Sequence, residues 1–588
     1  MFDMIIRGGS IVDGRGGAPY LADIGITDGC IAAIGDLTDQ AREIIDAVGA
    51  LVTPGFIDTH THYDGQFLWD DKLDPSFSHG VTTVIAGNCG VGFAPAATEH
   101  RRELIELMEG VEDIPGVVLE EGLDWNWRSF PDYLDRLAER EYAMDIAVQM
   151  THSPLRVFVM GDRAIRHEDA TAQDIDAMCR LVGEGMAAGA FGFSSARLVE
   201  HKSSSGAIVP GTFAADEELY ALARTLGECG RGMFQIIPRG AVGDLVKTGL
   251  SREERLAEHR RMEEIARVSG RPLTYTLLQV ATDPGDIGMM LRESQRANDA
   301  GLEIHPMITA RQIGLVHMLD SHHGFELKPS YQAITDLPRA ERAAAMRDPA
   351  LRNAILSEAN DEAGFKGKAN IIGFLGRLQD NIANTYTLTN PLDYEPGPER
   401  LVGALAAAQG VTPEAWLYDH YAAGDGSNFN ITFSTNYADG NLDHIHDELL
   451  MPMIVSGGGD GGAHVLTICD ASLPTFQLAF WARDRQRGAR LPVETVVAKL
   501  AGEPAALYAM NDRGTLEVGK RADINVIDHP RLSLGNFRVA NDLPSGAGRL
   551  LQDSTGYLAT MVAGTVTRRH DRDTGARPGK LLRSNEFA

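Results

Sequence analysis

Short apolar segments alternate with longer stretches of helix-forming residues through the middle of the chain. Segments of strand length occur at 51–57, 82–86, 145–149, 191–195, 232–237, 273–279, 303–308 and 453–456. The intervals contain helix formers, as at 102–109, 171–187 and 252–268. Because strand and helix alternate about eight times, the pattern predicts an α/β fold with a (β/α)8 TIM-like barrel. The alternative fold is an open, doubly wound sheet. Its nucleotide-binding form has a GxGxxG sequence at the start of a helix, and none of the helices predicted here begins with that sequence.

The two ends of the chain share a second pattern, in which short apolar segments are separated by glycine turns. Near the start, Gly8-Gly9 and Asp28-Gly29 are turn signals between such segments. Segments of the same character near the end lie at 521–528, 557–562 and 564–568. We therefore expect residues 1–53 and 513–588 to form one small β-sandwich domain, with the polar tail at 574–588 as a loosely held arm.

The gap between the seventh and eighth apolar segments is too long for a single crossover helix. It contains helical stretches at 339–360 and 398–409. We expect residues 318–449 to form an insertion above the carboxyl end of the barrel, where it would shape a substrate pocket. The barrel itself would then comprise residues 54–317 and 450–512.

Composition excludes several classes of protein. The chain has 588 residues and a formal net charge of −28, which opposes binding to nucleic acid or to an anionic membrane surface. Its 5 cysteines are too few, and odd in number, for a disulfide framework. No apolar run reaches the roughly 18 residues of a spanning helix, and the first residues lack the features of a signal peptide. We expect a cytoplasmic protein that acts on a small molecule.

A candidate metal site follows the first predicted strand, in the sequence PGFIDTHTH at 54–62. His60 and His62 are two residues apart, so in an extended segment both imidazoles face the same way and can reach one ion. Neutral imidazole is a good ligand for zinc and similar transition metals. The carboxyl end of a barrel strand is also where catalytic residues of this fold class lie.

A carboxylate follows the eighth predicted strand, at Asp460 in the run GGGDGGAH at 457–464. At that end of the barrel, Asp460 can contact the same metal and accept a proton from water. An acidic residue in a glycine turn is common by itself. The pairing with the distant His60 and His62 is what favours the functional interpretation.

Together these features resemble the amidohydrolase superfamily, through PGFIDTHTH, the two β-rich ends around a barrel, and Asp460. The segment RGTLEVGKRADINVID at 513–528 also resembles that superfamily's return to its small β domain. The sequence GNCG at 87–90 and residues 456–464 resemble the D-aminoacylase (N-acyl-D-amino-acid deacylase) branch. The resemblance extends over nearly the whole chain and implies zinc-dependent hydrolysis of the amide bond of an N-acyl amino acid. It also implies that Cys89, in GNCG, is a metal ligand, a role that suits a thiolate.

Departures from the family bear on the number of metals. The family usually has a histidine at the end of strand five and another at strand six, and these hold a second metal position. Here the corresponding segments, MFQIIPR and LTYTLLQ, contain Gln235 and Gln279 but no histidine. We therefore expect one metal per chain, zinc by preference, with iron, cobalt or manganese as alternatives. Lys202 lies several residues past the fourth strand, so a carboxylated-lysine bridge between two metals is not favoured.

The expected metal ligands are His60, His62, Cys89 and Asp460. Hydrolysis needs only one ion, which lowers the pKa of a water from 15.7 toward about 7 and polarises the scissile carbonyl. Asp460 would be the general acid and base that moves the water's proton to the leaving nitrogen.

Other candidate site residues rest on their positions after predicted strands. His152 and His201 could stabilise the oxyanion of the transition state, and the alternative for each is a structural histidine. An N-acyl amino acid has a carboxylate that a guanidinium can bind, and the arginines in suitable positions are Arg197, Arg239 and Arg311. His305, at the seventh strand, is a further candidate. His444 and His446 repeat the two-residue spacing, but no apolar strand precedes them, which favours a capped turn.

The favoured function is a metal-dependent hydrolase of a linear amide, similar to N-acyl-D-amino-acid deacylases. A cyclic amide, lactone, carbamate or deaminase reaction on the same scaffold stays open, because strands five and six depart from the family. A non-catalytic, amidohydrolase-like structural protein is the alternative from another class, and the presence of His60, His62 and Asp460 argues against it. Related enzymes are often multimeric, so a homo-oligomer is also an expectation by analogy.

Overall fold

A computed structural model describes residues 1–241, 250–365 and 371–587. Its centre is a ring of parallel strands that pair in chain order. These strands are Phe56–Asp58, Val81–Ala86, Asp145–Val148 with Met150–Thr151, Gly192–Ala196, Met233–Ile237, Leu273–Thr276, Ile304–Ile308 and Val455–Ser456. A parallel bridge between Thr61 and Gly461 joins the last strand to the first. This is the pairing of a TIM-barrel-type α/β fold, in which the carboxyl ends of all strands meet on one face.

Helices cover the ring, and their ends follow from local sequence. Before the helix Ala172–Ala188, the Thr171 hydroxyl accepts a hydrogen bond from the Asp174 backbone, and the Asp174 carboxylate accepts one from the Thr171 backbone. Gly189, at φ +114°, ends this helix. The α-helices described outside the insertion are Arg101–Glu112, Gly116–Gly122, Phe130–Ala138, His152–Met160, Asp162–Ile165, Ala172–Ala188, Asp216–Glu228, Arg252–Ser269, Asp286–Asp299, Leu473–Phe476, Val493–Val497 and Glu503–Leu507. None of the helices within the described residues combines the length and apolar character needed to cross a bilayer.

Strands from both ends of the chain join one nine-stranded sheet. Its members are Phe2–Ile11, Tyr20–Thr27, Cys30–Gly35, Ala41–Asp46, Leu51–Pro54, Ile524–Ile527, Tyr557–Val562, Thr565–Arg569 and Arg572–Asp573. Leu51–Pro54 is the junction, because it pairs in parallel with Phe2–Ile11 and antiparallel with Ile524–Ile527. The two ends therefore meet in one sheet, whereas the sandwich arrangement of their strands stays a prediction. The predicted turn at Gly8-Gly9 is wrong: both glycines lie within the strand Phe2–Ile11, where the register shifts between Ile6 and Gly9.

The first predicted strand, at 51–57, is divided in two by Gly55. Leu51–Pro54 belongs to the nine-stranded sheet and Phe56–Asp58 to the barrel. A Cβ atom at Gly55 would lie 2.1 Å from the Thr82 hydroxyl oxygen, so only glycine lets the chain pass this close to the second barrel strand. One apolar segment therefore contributes a strand to each of two sheets. Its hydrophobic pattern does not predict this division.

The expectation of a loosely held C-terminal arm is wrong. The backbone of Gly579 exchanges hydrogen bonds with Tyr142, and the Leu582 N–H donates to the Ile146 carbonyl at 2.8 Å. Leu582 is buried. The tail therefore runs along the third barrel strand, where its backbone groups find partners that its polar composition does not predict.

The insertion leaves the barrel through a strand pair, Gly314–Met318 with Phe429–Phe433. Its described helices are Pro329–Gln332, Arg339–Met346, Pro349–Ser357, Ile372–Asp380, Val402–Gln409, Pro413–Ala422 and Asp443–Leu449. Several of them share a small core of their own that includes Phe325, Tyr331, Leu417 and Tyr421. Residues 366–370, inside the predicted 318–449 segment, lie outside the described residues.

Glu448 gives the insertion a pH-dependent stability. Burial in the helix Asp443–Leu449, together with the neighbouring Asp447 charge, raises the pKa of its carboxyl to about 8. A carboxyl whose pKa is higher in the folded chain than in the unfolded chain binds its proton on folding. It therefore stabilises the fold fully at acid pH, and this contribution is lost as the pH rises from about 4.3 toward 8.

We expect Glu448→Gln to raise Tm relative to the wild type at pH 8 by about 2–4 °C, and by less at pH 5. The amide mimics the protonated carboxyl and cannot ionise, so the gain should grow with pH. Calorimetry at the two pH values measures it, with the exposed Glu414→Gln as the control whose effect should not depend on pH. An equal shift of Tm for Glu448→Gln at both pH values would contradict the assignment.

Candidate metal centre

The His-x-His segment leaves the first barrel strand along a fixed path. The Thr61 N–H donates to the Ile85 carbonyl, and the Asn88 amide donates to the carbonyls of Thr61 and Ile85 at 3.0 Å each. His60 and His62 are 4% and 1% exposed. Their Nε2 atoms face a common point, as the two-residue spacing predicts, because the segment is held extended by its neighbour strand.

Cys89 reaches the same point from the end of the second strand. Its Sγ lies 3.4 Å from the His60 Nε2 and 3.7 Å from the His62 Nε2. The Cys89 backbone is in the left-handed region at φ +54°. Preceding it, Gly87 has no room for a side chain, since a Cβ there would lie 2.2 Å from the Gln149 carbonyl oxygen. The GNCG sequence therefore forms a strained turn that aims the thiol inward.

Asp460 approaches from the end of the eighth strand. Its N–H donates to the His60 carbonyl at 3.0 Å, and the His62 N–H donates to the Gly461 carbonyl at 2.7 Å. The Asp460 Oδ1 is then 3.4 Å from the His60 Nε2 and 3.8 Å from the His62 Nε2. Asp460 is also left-handed, at φ +46°. These backbone bonds join the first and last strands at the point where the ligands meet.

The donor set fits a single transition metal. Zinc in a tetrahedral site has bonds of about 2.0–2.3 Å, which place its ligand atoms about 3.3–3.6 Å apart. The Nε2 atoms of His60 and His62 lie 3.4 and 3.7 Å from the Cys89 Sγ, and 3.4 and 3.8 Å from the Asp460 Oδ1. The nitrogen and sulfur atoms of the first three residues all lie within 4.8 Å of one another. Imidazole, thiolate and carboxylate donors suit zinc and its neighbours in the first transition row.

The protonation states of the ligands depend on burial. Burial lowers the pKa of both His60 and His62, so their imidazoles are neutral and offer a lone pair. Burial raises the pKa of the Cys89 thiol well above its usual value. A cation beside the sulfur offsets that burial, because metal binding displaces the thiol proton.

These four candidate ligands line a cavity of about 890 Å³. Much of its wall is apolar and comes from barrel-strand ends, neighbouring loops and the insertion: Leu198, Ile237, Leu278, Met307, Ile308, Ile313, Leu315, Ile371, Phe374 and Ile468. Ile237 ends strand five, and Leu278 follows the end of strand six. Gln235 and Gln279 are not among the described lining residues, and the Gln279 amide instead donates to Asp439.

His201 lies in the cavity wall, whereas His152 does not appear among the described lining residues. The His152 ring nitrogens contact the Ser195 hydroxyl at 2.9 Å and the Glu218 carboxylate at 2.8 Å. Both ring positions are therefore engaged, and a catalytic role for His152 stays a prediction. Burial lowers the pKa of His201 to about 4, and its Nδ1 has no hydrogen-bond partner.

The arginines predicted to bind a substrate carboxylate lie elsewhere among the described residues. Arg197 donates to Glu258 at 3.1 Å, and Arg311 donates to Asp470 at 2.8 Å. Arg239 and His305 are also absent from the described cavity lining. The His305 Nδ1 is 3.2 Å from the Met453 carbonyl oxygen. The structure brings none of these four residues to the metal ligands, and their predicted roles remain untested.

His444 and His446 lie in the helix Asp443–Leu449 rather than in an extended segment. Two residues apart on a helix, they point in nearly opposite directions, so the spacing that suits a strand pair does not make one site here. His446 contacts the Asp447 carboxylate at 3.0 Å.

Sequence reasoning missed two residues beside the ligands, Glu112 and His464. The Glu112 Oε2 lies 3.4 Å from the His62 Nε2 and 3.9 Å from the His464 Nε2. His464 ends the GGGDGGAH run, so its proximity to Asp460 was a usable signal. Glu112 ends a helix far from any strand, and its sequence context carried no such signal.

Comparisons with known proteins show the family to which the chain belongs. A family model described as "Amidohydrolase family" matches residues 43–568. The D-aminoacylase of Alcaligenes xylosoxydans xylosoxydans is 36% identical over 230 residues, which are 39% of this chain and 43% of that protein.

Two solved structures share the fold over the whole chain. A D-aminoacylase described by its binuclear metal center has a TM-score of 0.64 at 23% identity, covering 99% of this chain and 100% of that one. N-acyl-D-glutamate deacylase from Bordetella bronchiseptica, solved with zinc and a phosphonate inhibitor, has a TM-score of 0.63 at 24% identity, covering 99% of each chain. Because the family match spans most of the sequence, including His60, His62, Cys89 and Asp460, this chain belongs to the amidohydrolase family and is a metal-dependent hydrolase of C–N bonds.

Proposed function

We propose that this protein hydrolyses the amide bond of an N-acyl amino acid with one metal ion per chain. The observation that carries the proposal is the convergence of His60, His62, Cys89 and Asp460 in the lining of a large cavity. Zinc is the proposed metal. Strand five ends at Ile237 and strand six at Thr276, and the absence of a histidine at either end supports one metal position rather than two.

The residues around the ligands can perform the proton transfers of hydrolysis. A divalent metal bound there lowers the pKa of water and polarises the scissile carbonyl. Asp460 accepts the proton of the attacking water and returns it to the leaving nitrogen. His201 is neutral at pH 7 and retains one N–H, so it can donate a hydrogen bond to the developing oxyanion from the cavity wall.

We also propose the three-part division of the chain. Residues 1–53 with 513–588 form the small β domain, and residues 54–317 with 450–512 form the barrel. Residues 318–449 form the insertion. The strand pairing between Leu51–Pro54 and Ile524–Ile527 supports the first part, and the apolar core of the insertion supports the last.

The cavity favours an uncharged, apolar side chain on the amino acid. Much of its wall is apolar, and the carboxylates of Glu109, Asp113 and Glu200 in its lining repel a second negative charge. The lysine and arginine side chains in its described lining are Lys202 and Arg377, and both are exposed. One substrate carboxylate can meet a cation there while the apolar group lies inside.

We expect kcat/KM for N-acetyl-D-leucine to exceed that for N-acetyl-D-glutamate by at least about tenfold. Each buried methylene adds about 0.8 kcal/mol of transfer free energy, and the second carboxylate adds repulsion from the acidic groups. Chromatographic measurement of the released amino acid gives both constants. The L-isomers and a cyclic amide complete the panel.

The outcomes of this panel separate the candidate functions. A preference for N-acetyl-D-glutamate would contradict the proposed apolar pocket but would still support deacylase activity. Turnover of the cyclic amide alone would replace the linear amide as the substrate class. No turnover of any substrate, together with no bound metal, would favour a non-catalytic structural protein.

A further inference from the structure

Glu112 is a buried carboxylate that the ligand set above does not use. It is the last residue of the helix Arg101–Glu112, and its side chain is 3% exposed. Its Oε2 is 3.4 Å from the His62 Nε2, the same separation as that between His60 and Asp460. Its carboxylate also contacts the Cys89 thiol. Glu112 therefore contacts two of the proposed metal ligands, and it lies at ligand-to-ligand distance from His62.

The surroundings of Glu112 oppose a negative charge. Its Oε1 is buried without a hydrogen-bond partner, and its ion-pair contacts among the described residues are with His62 and His464 rather than with lysine or arginine. The carbonyl groups at a helix C-terminus place negative partial charge beside it. An isolated buried carboxylate is costly without a cation. An ionised Glu112 therefore needs a cation, which no described lysine or arginine supplies.

The backbone fixes Glu112 in this place from two sides. The His464 N–H donates to the Glu112 carbonyl, which ties the helix end to the loop of the eighth strand. On the other side, the Ser204 N–H donates to the Glu106 carbonyl at 2.8 Å. Asp113, at φ +53°, ends the helix directly after Glu112. The carboxylate is thus held in the cavity by a built arrangement rather than by a flexible loop.

We propose that Glu112 is a fifth protein donor to the metal held by His60, His62, Cys89 and Asp460. The inference rests on the proposed metal site but not on the identity of the substrate. A helix after the second strand would then supply an anionic donor, in a chain whose fifth and sixth strands contain no histidine. Three anionic donors and two imidazoles would hold a divalent cation more firmly than four donors alone.

The test compares Glu112→Gln with Glu109→Gln. Glu109 lies one turn earlier on the same helix, lines the same cavity, and accepts a hydrogen bond from the Gly116 N–H at 2.9 Å. Zinc affinity is measured by competition with a chromophoric chelator. We expect Glu112→Gln to weaken zinc binding by at least about tenfold and Glu109→Gln to leave it unchanged.

Cobalt substitution supplies a second readout that does not involve turnover. The visible d–d bands of Co²⁺ are weak with five donors and intense with four tetrahedral donors. We expect the bands to intensify in Glu112→Gln and to match the wild type in Glu109→Gln, while the sulfur-to-cobalt charge-transfer band from Cys89 persists in both.

Unchanged zinc affinity and an unchanged cobalt spectrum in Glu112→Gln would overturn the proposal. If that variant does not fold, as judged by circular dichroism, Glu112→Asp decides instead. The aspartate keeps the negative charge, but its side chain is one methylene shorter and its oxygen lies farther from the metal. Zinc affinity should therefore still fall, and a Glu112→Asp variant with the zinc affinity of the wild type would reject a donor role. A wild type that binds zinc through Glu112 but hydrolyses no amide would reject the proposed function and leave this inference standing.

Discussion

Asp460→Asn should lower kcat by about 10²–10⁴-fold while the protein stays folded and keeps most of its metal. The amide has nearly the same shape and can still contact the ion, but it cannot accept the proton of the attacking water. Its backbone bond to the His60 carbonyl does not involve the side chain and should persist. Steady-state rates and metal content per chain, measured on the same sample, test both halves of this expectation.

Asp447→Asn is a matched control, since Asp447 is an exposed carboxylate of the helix Asp443–Leu449. It should retain the wild-type rate. If Asp460→Asn turned over substrate within a factor of about three of the wild type, Asp460 could not be the general acid and base. If it lost metal and rate in the same proportion, its role would be that of a ligand alone.

Replacement of both His60 and His62 by alanine should remove metal and turnover together. The two imidazoles are two of the five proposed donors, and Cys89, Asp460 and Glu112 alone cannot complete a tetrahedral site. We expect less than about one-tenth of the wild-type metal content, measured by elemental mass spectrometry after dialysis. Wild type itself should carry about one zinc per chain.

The chain provides its own control for this variant. His444 and His446 have the same spacing but lie on a helix, so their replacement by alanine should leave metal content unchanged. Full metal in the His60, His62 variant would show that the site is elsewhere. About two metals in the wild type would mean that residues outside the described ligand set hold a second ion.

The parts of this site that sequence predicts are those set by local geometry. His60 and His62 converge because an extended chain repeats every two residues, and Cys89 and Asp460 belong to glycine-rich turns at strand ends. Glu112 has no such signature, because its position depends on how a whole helix packs against the loop that carries His464. The same limit applies to Arg197 and Arg311, whose side chains find buried carboxylates that are distant in sequence.

The fold shows a similar division. Alternation of apolar segments and helices predicts the ring of parallel strands, because each barrel strand is buried on both faces. The break at Gly55 depends on contact with Thr82, and the docking of the C-terminal tail depends on Tyr142 and Ile146. Such contacts join segments that are far apart in the chain. Neither the composition nor the hydrophobic periodicity of either segment predicts them.

The sheet shared by the two chain ends cannot be completed until the C-terminal strands have been synthesised. Leu51–Pro54 pairs antiparallel with Ile524–Ile527. The Asn525 side-chain amide also donates a hydrogen bond to the carbonyl of Gly80, which lies 445 positions earlier in the chain. At about 5–20 residues per second, a ribosome takes on the order of 25–90 s to make that partner. Until then the N-terminal strands present an unpaired edge, which is a template for aggregation. We therefore expect the yield of folded protein to fall when translation is slowed before the last strands emerge.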